Sequence, residues 1–367
     1  MGLEVKRLTG GLREEWNAFA AAEPCFGLLQ AWEWGEFKES LGWQAHRIAL
    51  TKKGTIKAGA QLLTKKLLFG AGGVAYVPRG PIGDWRDPET ASLLFEEMHG
   101  LAERNRCLFL KIEPGGPPFS DKDLSRLLPG FRPSRRTVQP QSTLIVDLDR
   151  DLDAIERSFR RKTRKYIMRT VQEGVRVRKG GAADLPCCYR LLRETSRRAG
   201  FPVRGRAYYE NEWRILSRSN LAVLLMAYRH ERLLAVRTVY RFGRHAAEFH
   251  AGSVTPLPQL HPNHLLVWEA IKWAKEQGCR SYDLWGIPDE AGRMAAEGRD
   301  IPLGSRTDGL WGVYRFKSGF SHHVVGFPGA YDYAYRPYWH SLISGRLMGW
   351  RMFGRIKAFL DSRGHPG

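Results

Sequence analysis

Apolar residues recur every three to four positions over some stretches and form short β-type runs over others, and the two patterns take turns along the chain. Leu12–Ala22 and Trp32–Leu41 carry the helical spacing, whereas Ala45–Leu50 and Thr55–Thr64 read as strands. Leu93–Arg104 is predicted to be a helix, and Cys107–Ile112, followed by Pro114-Gly-Gly, a buried strand. From Asp151 onward, Ile155, Phe159, Tyr166, Ile167, Thr170 and Val171 keep helical spacing, and Gly174 stands where a helix would end. Val175-Arg-Val-Arg178 alternates like a half-buried strand, Cys187–Arg198 predicts a helix, and Leu221–Tyr228 and Leu233–Arg241 predict paired strands. Leu266, Ala270, Trp273 and Ala274 mark one more helix, closed by Gly278 and followed by the strand Tyr282-Asp-Leu-Trp285. Helices interleaved with strands predict an α/β (α+β) protein rather than a sandwich or a bundle. The two halves share an order of helices, strands and a closing helix–strand unit, which hints at a duplicated fold.

Composition changes this picture in three ways. A length of 367 residues exceeds one ordinary core, so two domains are expected, and 43% hydrophobic residues exclude global disorder. A net charge of +20 predicts a polyanionic partner: nucleic acid, a phosphorylated substrate or an anionic membrane surface. Many of these cations, Arg157, Arg160, Arg161, Lys162, Arg164, Lys165 and Arg169, lie opposite the apolar positions of the 155–171 stretch. The five cysteines form no Cys-x-x-Cys pair and no zinc spacing, and the histidines show no metal-ligand pattern, so reduced thiols and no metal or other cofactor are expected. No signal-like N-terminus and no apolar run near the ~20 residues that span a bilayer are present, which predicts a cytoplasmic protein. Ser341–Leu360 reads as an amphipathic helix flanked by Arg346, Arg351, Arg355 and Lys357; it could pack on the body or touch anionic lipid at the inner face of the membrane.

Five stretches spread over nearly the whole chain, taken in their order, resemble the Fem family of peptidyltransferases. They are Leu29-Gln-Ala-Trp-Glu-Trp-Gly-Glu-Phe-Lys38; Tyr76-Val-Pro-Arg-Gly-Pro81; Lys162-Thr-Arg-Lys-Tyr-Ile167 running into Glu173-Gly-Val-Arg-Val177; Tyr282-Asp-Leu-Trp-Gly-Ile287; and Gly312-Val-Tyr-Arg-Phe-Lys-Ser-Gly-Phe320 with Tyr331-Asp-Tyr-Ala-Tyr-Arg-Pro337. The resemblance implies two domains similar to the acetyltransferase (GNAT) fold with a cleft between them. Domain 1 would be residues 1–149, completed by 328–367, and domain 2 residues 150–327. The coiled-coil arm of some members looks absent, because 194–220 is short and lacks heptads, and a compact monomer is expected.

The resemblance further implies transfer of an amino acid from aminoacyl-tRNA to the stem-peptide amine of a peptidoglycan precursor, UDP-linked or lipid II. An alkyl amine with a pKa of about 10.4 must lose a proton before attack, whereas the ester is already reactive, so positioning can supply much of the rate. By the family motif, Lys317 would stabilise the developing oxyanion or hold the tRNA end, and Phe316 would stack on the terminal adenine. Arg161, Lys162, Arg164 and Lys165 would meet tRNA phosphates. Lys38 falls at a diphosphate-contacting family position, and Arg204 with Tyr208 has the spacing of a second such pair, with Arg206 as a competitor. Glu113 ends a buried strand and is the candidate base, although the family more often has Asp-Pro there. Asp283 reads as a structural hydrogen-bond acceptor. Rival readings are a GNAT N-acyltransferase using acyl-CoA, a tRNA-dependent transferase acting on proteins, and a basic RNA-binding protein without catalysis. Against the first, Arg197-Arg-Ala-Gly-Phe-Pro202 follows a helix, whereas a pyrophosphate loop precedes one.

Overall fold

A computed structural model describes residues 2–67, 72–116, 119, 123, 126–254, 260–302, 306 and 308–344. The chain divides into two compact units: Met1–Gln139 with the described residues from Phe327 on, and Pro140–Gly326.

The first unit is built on strands β1 Glu4–Leu8, β2 Gln44–Lys52, β3 Thr55–Lys66, β4 Gly73–Pro78, β5 Ile82–Gly83, β6 Cys107–Glu113 and β7 Arg132–Pro133. They run in the order β1-β2-β3-β4-β6, then Tyr331–Ala334 from the far end of the chain, then β7, while β5 pairs with β3. Helices α1 Arg13–Ala21, α2 Trp32–Glu39 and α3 Pro88–Arg104 belong to this unit. α3 begins earlier than the apolar spacing alone suggests, because the Asp87 side chain accepts from Thr90 N at 3.0 Å and Pro88 follows at the first helical position. Two sequence motifs meet around Gln30, which is fully buried: its amide nitrogen donates to Pro78 O at 2.6 Å, and its amide oxygen accepts from Gln61 N at 2.7 Å. Gly35 in the first motif has no room for a Cβ, which would collide with the side chains of Arg47 and Gln61. Leu50, Leu62, Val77, Leu94, Met98, Leu110 and Ile112 lie in the core beneath this sheet.

The second unit holds β8 Ser142–Asp147, β9 Val175–Gly180, β10 Ala222–Arg229, β11 Arg232–Phe242, β12 His245–Ser253, β13 Ser281–Asp283 and β14 His323–Gly326, ordered β14-β8-β13-β12-β11-β10-β9. Its helices are α4 Leu152–Ser158, α5 Arg161–Gln172, α6 Leu185–Ala199, α7 Arg206–Arg218, α8 Pro262–Glu276, α9 Asp289–Ala296 and α10 Trp311–Lys317. A boundary at 149 therefore falls too late: β8 pairs antiparallel with both β13 and β14, and those long-range ladders commit it to the second sheet. The expected single helix through 155–171 is broken in two. Phe159 and Arg160 are extended, with Phe159 buried against Trp268 and Phe320, and Arg160 N donates to Gly319 O at 2.9 Å. Burial of one ring and a tertiary hydrogen bond outweigh the continued periodicity. Gly174 and Gly278 do take the left-handed conformation, at φ 82° and 76°, that closes a helix. α6 and α7 are helices of 15 and 13 residues joined by a short link, so the described residues carry no coiled-coil arm. The strand β12 and the helices α7, α9 and α10 had no clear sequence signal; β12 is His-Ala-Ala-Glu-Phe-His-Ala-Gly-Ser, without alternation. The Ser341–Leu360 expectation lies outside the described residues beyond 344, where the helix Pro337–Ser344 ends the description.

Candidate functional site

The second sheet opens between two neighbouring strands. β12 and β13 pair in parallel only at His245↔Ser281, Ala246↔Tyr282 and Ala247↔Asp283. Past Ala247, β12 runs on beside β11 alone, with an irregularity at Thr238/Val239 that changes the register between Val239↔Glu248 and Thr238↔His250. Phe249 on this free stretch packs on Trp285 with ring centroids 4.2 Å apart. Trp285 itself turns the chain, at φ 62°, and its N–H is held by Asp283 Oδ1 at 2.7 Å. Thr143 also donates to Asp283, so this carboxylate has the structural part expected of it.

Lys317 closes the site. The residue is 8% exposed, and Nζ donates to Trp285 O at 3.1 Å and Gly286 O at 2.9 Å. An ammonium has three donors, so one N–H remains beyond these two carbonyls. Burial lowers its pKa to about 8, against the opposing pull of Glu248 and Asp283. Glu248 is itself buried, ion-paired with Arg237 and accepting from the Tyr282 hydroxyl at 3.0 Å. Phe316 is half-buried: its ring meets His264 edge-on at 4.8 Å and lies 5.5 Å from Phe320. Burial drives the His264 pKa down to about 3, so this neighbour is a neutral ring.

The basic helix reaches the same place. Gly319, two residues past Lys317, accepts from Arg160 N, and a Cβ there would collide with the Thr163 side chain of α5. Arg161, Lys162 and Lys165 are exposed, and Lys162 lies 5.5 Å from the Tyr166 ring centroid. Arg164 is spent differently from its neighbours, since its guanidinium donates to Arg157 O and, at 3.0 Å, to Phe159 O, capping α4. The structure thus brings together Phe316, Lys317 and the start of α5.

At the start of α7, Arg204 lies over Tyr208, 5.3 Å from the ring centroid, and Tyr208 is buried behind it. Arg206, the competitor to Arg204, pairs with Glu210 one turn on at 2.6 Å. In the first unit, Lys38 sits on the last turn of α2 with its ammonium 5.0 Å from the Trp34 ring and 4.9 Å from the Phe37 ring.

Glu113 does not project into solvent as a base would. It is 2% exposed, it accepts from the Tyr76 hydroxyl and from the N–H of Val138, and Gln139 N lies 3.2 Å from Oε2. Burial raises its pKa, while these donors oppose the rise. Its geometry ties the 138–139 segment to the ends of β4 and β6. Sequence reasoning also missed Glu212 and His250, joined at 2.7 Å across the α7–β12 contact; neither has a motif, and only their isolation as polar residues among buried positions signals them.

Comparison with known proteins agrees with this architecture. Residues 12–117 match the FemAB family, and residues 156–293 match the acetyltransferase (GNAT) domain. Lipid II:glycine glycyltransferase of Staphylococcus haemolyticus (strain JCSC1435) is 30% identical over 54% of this chain and 49% of its own length. The protein of that name from Staphylococcus aureus (strain MRSA252) is 29% identical over 58% of this chain and 53% of its own length. The chain thus spans about half the length of these relatives. Among solved structures, FemX superposes with a TM-score of 0.80 at 21% identity, covering 93% of this chain and all of that one. A tandem GNAT protein from the clavulanic acid biosynthesis pathway superposes at 0.52, with 12% identity over 90% of this chain and 98% of its own.

Proposed function

Since the chain belongs to the Fem family, we propose that it transfers an amino acid from aminoacyl-tRNA to the stem-peptide amine of a peptidoglycan precursor, building an interpeptide bridge. One observation carries the chemistry: the ammonium of Lys317 is held by two backbone carbonyls beside the opening of the second sheet and keeps one donor for an incoming oxygen. A fixed, desolvated cation interacts more strongly with the oxyanion of the tetrahedral intermediate than with the ester carbonyl, which is what lowers a barrier.

In this reading the free face of Phe316 stacks on the terminal adenine, and Arg161, Lys162 and Lys165 meet the phosphates of the acceptor end. Arg164 contributes its charge, while its hydrogen bonds stay with the α4 cap. Arg204 over Tyr208 receives the diphosphate of the precursor, UDP-linked or lipid-linked. Glu113 holds backbone in place and takes no proton. Acyl transfer here needs no cofactor, because the ester arrives activated.

The test is direct. The protein is incubated with tRNA charged by each labelled amino acid and with both precursor forms, and with acetyl-CoA in a parallel arm. Release of deacylated tRNA with label on the precursor is expected; transfer only from acetyl-CoA, or retention of tRNA without turnover, would overturn the proposal. The same names on the relatives, which specify lipid II and glycine, make lipid II and glycyl-tRNA the first pair to try.

A further inference from the structure

Arg204, offered above to the precursor diphosphate, sits on the link between α6 and α7, where residues 201–205 have no regular secondary structure. The link is bounded by Gly200, which ends α6 at φ 74°, and by Gly205, which supplies no side-chain cap at the start of α7. A guanidinium carried on such a backbone would lose orientational freedom on binding a phosphate, and that loss weakens affinity. Two side chains remove the freedom in advance. The Tyr189 hydroxyl of α6 donates to Arg204 O at 3.1 Å, and the Tyr209 hydroxyl of α7 accepts from Arg204 N at 3.2 Å. Both peptide groups that flank the Arg204 Cα are therefore pinned. The far end of the same residue lies over Tyr208, 5.3 Å from the ring centroid, and Tyr208 is buried. The rings of Tyr189 and Tyr209 lie 5.8 Å apart and line one cavity of about 40 Å³ together with His250. His250 meets the Tyr209 ring edge-on at 4.9 Å, and its Nε2 lies 2.7 Å from the buried Glu212 carboxylate. The Tyr209 ring thus rests on a neighbour that is itself held.

We propose that Tyr189 and Tyr209 are positioning residues that fix the Arg204 backbone, so that its guanidinium is already oriented when a diphosphate arrives. This rests on the reading of Arg204 as a diphosphate ligand given above. The two tyrosines act on the precursor only through Arg204. A hydrogen bond that holds the backbone in the binding-competent conformation raises apparent affinity in proportion to the fraction of molecules it places there. Removing either hydroxyl lowers that fraction. The effect appears in binding of the anion and leaves the acyl-transfer step alone. Because the diphosphate is common to both, the UDP-linked and lipid-linked forms of the precursor feel the same loss.

Tyr189→Phe and Tyr209→Phe keep both rings and delete one hydroxyl each. Calorimetric titration with UDP-linked precursor is run on both variants, on Arg204→Ala, and on each tyrosine variant combined with Arg204→Ala. Thermal unfolding and single-turnover transfer are measured on the same samples. Each tyrosine variant should bind precursor about three- to tenfold more weakly, the size of one ordinary hydrogen bond. Transfer at saturating precursor should keep the wild-type rate. In the Arg204→Ala background the same substitutions should change affinity by less than about twofold, because the group they orient is gone. Wild-type affinity in either folded tyrosine variant would overturn the proposal, and so would a loss confined to the saturated transfer rate. An equal loss of affinity with and without Arg204 would also overturn it, since that marks a role in the fold alone. If Arg204→Ala binds as well as the wild-type protein, or the wild-type protein binds no precursor, the diphosphate reading fails first and the positioning role falls with it.

Discussion

Each unit buries several ionisable side chains, and two of them, Glu113 and Lys317, are treated in opposite ways. Glu113, at the end of β6, is surrounded by donors: a tyrosine hydroxyl and the backbone N–H groups of two consecutive residues. Lys317, at the end of α10, is held by two carbonyls that leave part of its donor capacity unused. A buried polar group whose partners are complete is a tie, because any further interaction would have to displace one already made. A buried charge with an incomplete set costs stability that packing elsewhere must offset, and such groups concentrate where chemistry is done. In the proposed reaction, that contrast gives structure to the first and catalysis to the second.

The largest expected effect comes from Lys317→Met. Transfer should fall by about 2.7–4 kcal/mol of barrier, a hundredfold or more, while precursor affinity stays near wild type. Single-turnover kinetics with saturating charged tRNA measures it, and a wild-type rate would turn Lys317 into a second tie. Arg204→Ala should come next, weakening binding of UDP-linked precursor by about 1.5–3 kcal/mol without changing the fold. Calorimetric titration reads this, and unchanged affinity would return the Arg204–Tyr208 pair to ordinary surface packing.

Glu113→Ala probes the other side. It strands the Tyr76 hydroxyl and the 138–139 backbone, so stability in urea should drop by about 1–3 kcal/mol with the transfer rate of the folded fraction retained. A rate loss without a stability loss would reverse the comparison. The smallest effect is in pH. Burial holds the Lys317 pKa at about 8, below its ordinary 10.5, so the protonated form and its catalytic contribution are present below that pH and lost above it. The rate should therefore have lost about half of the Lys317 contribution near pH 8, and Lys317→Arg should move this alkaline limb upward. Stability moves the opposite way: between pH 8 and 10.5 the unfolded chain binds the extra proton, so unfolding free energy should rise with pH in that window.

Much of this molecule was legible in the chain. The sequence by itself determined the alternation of helices and strands, the helix ends at Gly174 and Gly278, the basic face of α5 and the motifs that carry the family. These are written in local spacing and residue type, which report burial and backbone conformation at single positions. Tertiary structure decided the rest. It broke the 155–171 helix at Phe159–Arg160, moved β8 into the second sheet, and gave Glu113 its donors from 25 residues away. It also chose how the cations are used, since Arg164 is spent on an adjacent helix cap while Lys162 is exposed. Glu212 and His250, 38 residues apart, meet only because the fold brings α7 beside β12. Periodicity states that a residue is buried; which partner receives it depends on ladders and crossings that no local window contains.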